Sequence, residues 1–195
     1  MRRATPILLI CVVLLPACGF FGRSKNEFYS LETLPNATAP ATSSTARAAG
    51  APIGIDAVEL PPGIDRREIV VRGADHKLEV RGTHQWAGPL EDMVTHTLAF
   101  DLANRLPEGT MILPGQPRPA GAAIRSLAVT FEDLAAGADG VFVLDARWTV
   151  TDPGGPEVTA HERITVPAQS TESAAIVAAM SQALAQLAER IAAKV

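Results

Sequence analysis

The sequence predicts one α/β domain in which two amphipathic helices cover a mixed, largely antiparallel sheet of six or seven strands. Three patterns carry this expectation. Leu90, Val94, Leu98, Leu102 and Leu106 recur every four residues, and Val177, Met180, Leu184, Leu187 and Ile191 recur at spacings of three and four. Each series is one apolar stripe on a helix, and each stripe must be buried against a sheet. Between the two helices, three stretches alternate apolar and polar residues as half-buried strands do, with Gly, Pro and Asp at the turns. The remaining strand signals fall in hairpin-like or mixed neighbours rather than in a regular β-α-β succession.

In chain order, Met1-Arg2-Arg3 is a short cationic start, followed by an unbroken apolar run from Ile7 to Leu15. Such a run suits the hydrophobic region of a secretory signal and is too short to span a hydrocarbon core about 30 Å thick. It ends in Leu15-Pro16-Ala17-Cys18-Gly19. A large aliphatic residue at −3, a small one at −1 and Cys at +1 is the lipobox pattern, in which the thiol takes a diacylglycerol and the signal is cleaved before it. Residues 1–17 therefore read as a lipoprotein signal peptide and Cys18 as the acylated N-terminus, with Leu15 and Ala17 as the recognised lipobox positions. Cys11 lies in the removed segment, so Cys18 is the one thiol of the mature chain and no internal disulfide can form. Acylation consumes a thiol that would be a liability in an oxidising compartment. A mature bacterial lipoprotein carries more than one acyl chain, and burial contributes about 0.8 kcal/mol per CH₂, so the anchor is expected to hold. Gly19, in place of the Asp that commonly signals inner-membrane retention, points to the periplasmic face of the outer membrane.

Residues 18–27 are a tether that, at about 3.3–3.6 Å per residue, reaches at most ~35 Å and keeps the domain of residues 28–195 near its membrane. Phe28-Tyr29-Ser30-Leu31 is a first strand. Residues 36–50 are rich in Ala, Thr, Ser and Pro, with one charge and no apolar periodicity, and read as a mobile loop. Ile53 to Leu60 is a strand with Ile53, Ile55 and Ala57 on one face, ended by Pro61-Pro62-Gly63. Ile69 to Arg72 and Lys77 to Val80 are two short strands joined through Gly73-Ala74-Asp75-His76. Gly88-Pro89 opens the first helix, with Pro at its first position, and Pro107 and Gly109 stop it. Thr110 to Leu113 is a brief strand. Then come the three meander strands, with apolar faces Leu127, Val129 and Phe131, then Phe142, Leu144, Ala146, Trp148 and Val150, then Val158 to Val166 running back. The closing helix spans about Thr171 to Ala193. Glu172 at its start and Arg190 and Lys194 at its end suit the helix dipole.

Several chemistries are excluded. Removing Arg2 and Arg3 with the signal takes the formal charge from −4 to −6, and without a basic block nucleic acid is not an expected partner. Lys25, Lys77 and Lys194 are the three lysines and none follows a glycine, so there is no Walker A loop. There is no Gly-x-Ser-x-Gly elbow. His76, His84, His96 and His161 have no metal-ligand spacing, and the mature chain has no thiol to spare. No catalytic residue, metal or cofactor is expected.

The informative stretch is residues 60–90. Leu60-Pro61, Asp65-Arg66, Ile69-Val70-Val71-Arg72 and Trp86-Ala87-Gly88-Pro89-Leu90 follow in that order, after Tyr29 and Leu31 in the opening strand. With the lipobox, this succession resembles the PqiC/YmbA-like family of ABC-type transport auxiliary lipoproteins, over about residues 28–195. The resemblance implies a layered α/β sandwich with a mixed sheet. It also implies a non-enzymatic adaptor working beside an MCE-domain periplasmic protein, a permease and an ATPase that move phospholipid or other hydrophobic molecules across the envelope.

Asp65, Arg66, Arg72 and Trp86 are the expected partner-binding residues. Asp65, Arg66, Arg67, Glu68, Arg72, Asp75 and Arg81 fall within seventeen residues, more charge than two short strands need. Loops carried by a rigid sheet are also where binding residues concentrate. Bland roles stand beside these. Asp65-Arg66 could be a local ion pair in a turn, Trp86 a cap on the core, and Arg72 with Arg81 a charged sheet edge rather than a basic spot for a lipid headgroup. A ring of identical subunits around the partner would let weak contacts add through effective concentration. Two rival functions remain. A lipid-binding carrier requires an apolar pocket of a few hundred Å³, and an envelope hydrolase requires an exposed Ser–His pair within hydrogen-bond reach.

Cys18→Ala is expected to leave the chain unprocessed or to release it from membranes; normal mass and membrane partitioning in that variant would overturn lipidation at Cys18. Replacing residues 36–50 by a few Gly/Ser residues is expected to shift the thermal midpoint little, because loop-closure entropy grows only logarithmically with length. A drop of about ten degrees, many times that term, would show that the segment packs.

Overall fold

The computed structural model describes residues 25–35, 51–75 and 77–195. The signal peptide, Cys18 and the loop of residues 36–50 lie outside the described residues. Where apolar residues alternate, the chain is extended; where they recur every three or four residues, it is helical. The elements follow as β1 (Glu27–Tyr29), β2 (Ile53–Glu59), β3 (Glu68–Arg72), β4 (Leu78–Trp86), α1 (Leu90–Ala103), β5 (Met111–Ile112), β6 (Arg125–Ala136), β7 (Val141–Thr151), β8 (Val158–Pro167) and α2 (Ser173–Ala192). All eight strands join one mixed sheet. α2 lies along β6, β7 and β8, α1 lies against β2 and β5, and the two helices pack on each other. The result is the two-helix α/β sandwich that the sequence predicts.

β6 organises the sheet. One of its edges pairs antiparallel with β7 from Ser126↔Thr151 to Ala136↔Phe142. The other edge is divided. Arg125 to Thr130 pairs with β2 in parallel, and Ala136 bridges Val71 of β3. β4 pairs antiparallel with β3, and β1 adds in parallel to the end of β4, from Glu27↔His84 to Tyr29↔Trp86. β8 closes the meander against β7. The expected inward faces are the core: Leu127, Val129 and Phe131 on β6, Phe142, Leu144, Ala146, Trp148 and Val150 on β7, and Val177, Met180, Leu184, Leu187 and Ile191 on α2 are all buried. On α1, Leu90, Val94, Leu98 and Leu102 are buried, and Leu106 packs on the core from just beyond the helix.

Three elements differ from expectation for local reasons. In β2 a bulge between Ile55 and Ala57 shifts the register by one, so Val58 faces the core and Ala57 faces solvent. β4 is twice as long as its apolar alternation indicates. It pairs Ile69 with Arg81 and Glu68 with Gln85, so Gly82-Thr83-His84 bulge out and break the pattern. Pro89 caps α1 rather than opening it, accepting the Met93 N–H at 3.1 Å.

The chain leaving β1 is stitched across both helices. The Glu32 N–H donates to Ser181 Oγ at 3.1 Å, and the Leu34 N–H donates to Asp101 Oδ1 at 2.9 Å. Asp101 is fully buried on α1; burial raises its pKa, against the Leu34 N–H and the Arg105 guanidinium, which favour the anion.

The far end of α2 is held by charge. Glu162, on the helix-facing side of β8, accepts from Lys194 Nζ at 2.6 Å and Arg190 Nη1 at 2.8 Å. Lys194 first, then Arg190, holds the Glu162 carboxyl below its usual range despite partial burial. A depressed carboxylate contributes stability above its unfolded pKa of 4.5 and loses it as pH falls through the folded value. Glu162→Gln is therefore expected to narrow the difference between urea midpoints at neutral pH and near pH 3. An unchanged difference would show that the pair does not couple to folding.

Candidate functional site

The turn after β2, the end of β4 and the start of α1 meet beside β1. Gly63, at φ +90°, lets Pro61-Pro62-Gly63-Ile64 fold back so that Ile64 packs on the core while Asp65, Arg66 and Arg67 remain at the surface. Two backbone bonds fasten this turn and β1 to the strand that leads into α1: the Trp86 N–H donates to the Arg67 carbonyl and the Ala87 N–H to the Tyr29 carbonyl, each at 2.8 Å. Between these segments lies a cavity of about 390 Å³ lined by Phe28, Asp65, Arg66, Arg67, Trp86, Ala87, Gly88, Pro89 and Leu90.

Its floor and walls are apolar and its rim is cationic. Trp86 and Leu90 are buried, whereas Phe28 is 60% exposed, the most exposed large hydrophobic side chain among the described residues. Arg66 Nε donates to Glu68 at 3.0 Å, and this bond leads the depression of the Glu68 pKa. Arg67 forms no ion pair among the described residues. Next to the cavity, Tyr29 stacks on His84 at 5.6 Å between ring centroids, and the Tyr29 hydroxyl donates to Glu27 at 2.7 Å. A second depression of about 370 Å³ adjoins it across Gly88-Pro89, between Leu31 and the Met93, Thr97 and Phe100 side of α1.

Of the expected partner-binding residues, the fold brings Asp65, Arg66 and Trp86 together here. Arg66 pairs with Glu68 rather than with Asp65. Trp86 is a core residue with one side on the cavity. Arg72 is elsewhere: both terminal nitrogens donate to Asp133, each at 2.6 Å. Arg81 donates to Ser173 Oγ at 2.7 Å and to the Thr171 carbonyl at 2.6 Å. Arg72 and Arg81 thus form neither a basic spot nor a solvated edge; each ties its strand to a neighbouring element. Leu15, Ala17 and Cys18 lie outside the described residues.

Sequence reasoning missed Phe28 as a lining residue and Arg67 as the cation at the rim, because neither position has a spacing signal. On the open face of the meander, where the sequence places Arg147, His161 and Arg163 together as an alternative docking face, the structure shows a charge network. His161 bonds Asp145 closely, Arg163 donates to the same carboxylate at 2.6 Å, and Arg147 donates to Glu132 at 3.0 Å. The bonds from His161 and Arg163 outweigh burial and hold the Asp145 carboxyl down. Glu132, Asp145 and His161 could offer ligand atoms to a cation, all within 4.8 Å of one another, but both carboxylates already carry arginine partners.

Comparison with known proteins assigns the chain. A family model for the ABC-type transport auxiliary lipoprotein component matches residues 29–192. The intermembrane transport lipoprotein PqiC of Escherichia coli K12 is 24% identical over 148 residues, which cover 76% of this chain and 74% of that protein; the Shigella flexneri protein of the same name matches equally. Among solved structures, an uncharacterised protein superposes with a TM-score of 0.70 at 19% identity, covering 87% of this chain and 98% of its own. A protein from Xanthomonas campestris superposes with a TM-score of 0.59 at 18% identity, covering 85% and 92%. Both share the fold.

Proposed function

The chain belongs to the family of ABC-type transport auxiliary lipoproteins, and from that premise we propose that it is a non-enzymatic adaptor anchored through Cys18 to the periplasmic face of the outer membrane. In this role it receives the periplasmic end of an MCE-domain protein belonging to an ABC-type system that moves phospholipid or another hydrophobic molecule between membranes. Family membership over most of the chain carries the reading. The relatives named intermembrane transport lipoprotein support its direction. No helix among the described residues is long and apolar enough to cross a membrane.

The docking face is the surface turn Asp65-Arg66-Arg67 above Trp86. Its backbone is fixed through the Arg67 carbonyl to Trp86 at the end of β4, so a partner meets a preformed shape and little ordering entropy opposes binding. Rim charges of this kind set encounter and register more than they set folding stability.

Arg66→Glu is expected to abolish copurification with the MCE-domain partner while moving the thermal midpoint by no more than about two degrees, since an exposed pair is worth ~0–1 kcal/mol. Arg72→Glu is expected to behave oppositely, lowering the midpoint because it faces Asp133 with a second carboxylate, with copurification retained in the folded fraction. Unimpaired copurification of Arg66→Glu would move the docking face away from this turn.

A further inference from the structure

We propose that the cavity beneath this turn is a phospholipid site, taking the phosphate at Arg67 and Arg66 and the first part of an acyl chain against Phe28, Trp86 and Leu90. The inference goes beyond adaptor function and does not require the MCE partner; it rests on the chain being a lipoprotein. The volume of about 390 Å³ lies in the range of small-molecule sites, roughly 300–1,000 Å³. The polarity is divided as a phospholipid is divided. Phe28, Trp86, Ala87, Pro89 and Leu90 supply the apolar part, and the charged groups stand together on the turn.

Charge decides which headgroup fits. Asp65 is the one carboxylate lining the cavity, against two guanidinium groups. Arg66 uses Nε on Glu68, which leaves its terminal nitrogens clear of that bond, and Arg67 forms no ion pair among the described residues. Guanidinium groups match phosphate oxygens bidentately and are weakly hydrated, so they suit a phosphate at the edge of an apolar site. Across the rest of the described surface, arginines such as Arg72, Arg147 and Arg163 are engaged with carboxylates. Position decides the source. Phe28 follows directly on the expected tether from Cys18, which is short enough, at most ~35 Å, to let the cavity meet the bilayer surface. An exposed aromatic beside basic residues is the combination favoured at that interface.

The test uses the mature lipidated chain reconstituted into vesicles of phosphatidylethanolamine and phosphatidylglycerol, with a photoreactive phenylalanine analogue at Phe28 and, separately, at Asp65. Irradiation is expected to give a protein–phospholipid adduct, resolved by mass from the anchor's own acyl chains. Arg67→Glu is expected to lower the adduct yield about ten-fold, the size of one lost charge-assisted contact. Arg118→Glu, at an exposed pair with Asp56, is expected to leave it unchanged. Thermal midpoints confirm that each variant is folded. Absence of a phospholipid adduct from both probe positions overturns the proposal. So does an adduct insensitive to Arg67→Glu, which would report bulk bilayer contact alone. Cross-linking in cells to a protein only would assign the cavity to the partner, leaving the adaptor reading intact and this one refuted.

Discussion

The fold depends on one strand having three neighbours. β6 gives one edge to β7 and divides the other between β2 and β3. A straight strand of that length would carry one partner along its whole edge. β6 departs from this through the bulge between Phe131 and Asp133, which bends the strand and increases its twist. The bulge has an electrostatic consequence. It sets Asp133 directly opposite Asp145 on β7, and like charges in that position destabilise a sheet. Arg72 from β3 offsets the first carboxylate, and Arg163 with His161 from β8 offsets the second. The residue that looked in sequence like a basic handle for a partner is thus the clamp that lets β3 meet the bulged strand.

The elements legible in the sequence are those whose burial is one-sided and regular. Trp148 and its neighbours on β7, and the stripe of α2 from Val177 to Ile191, alternate or recur because one face meets the core and the other meets water. Legibility failed wherever a bulge changed the period. Ala57 seemed to face inward by parity, and the shift at Ile55 turned Val58 inward in its place. The second half of β4 was invisible because Gly82-Thr83-His84 bulge away from β3 between two segments paired with it. The site was half legible for a related reason. Asp65, Arg66 and Trp86 stand in one continuous stretch with conspicuous turn chemistry, whereas Phe28 reaches the cavity through parallel pairing of β1 with β4, and no local pattern encodes a parallel partner so distant in the chain. Pairings such as Arg72 with Asp133 are likewise products of register, not of spacing.

The cavity owes its persistence to backbone, not to side chains. An open apolar hollow beside mobile segments would close by collapse, because burying its walls is favourable. Here the Arg67 carbonyl is held by the Trp86 N–H and the Tyr29 carbonyl by the Ala87 N–H, so the turn, β1 and the entry to α1 are spaced by hydrogen bonds. Pro89, at φ −55°, fixes the direction in which the helix departs. The stitching of Glu32 to Ser181 and Leu34 to Asp101 then binds the chain after β1 to both helices. A large aromatic held open to solvent beside two arginines gives up the burial that would otherwise stabilise the fold.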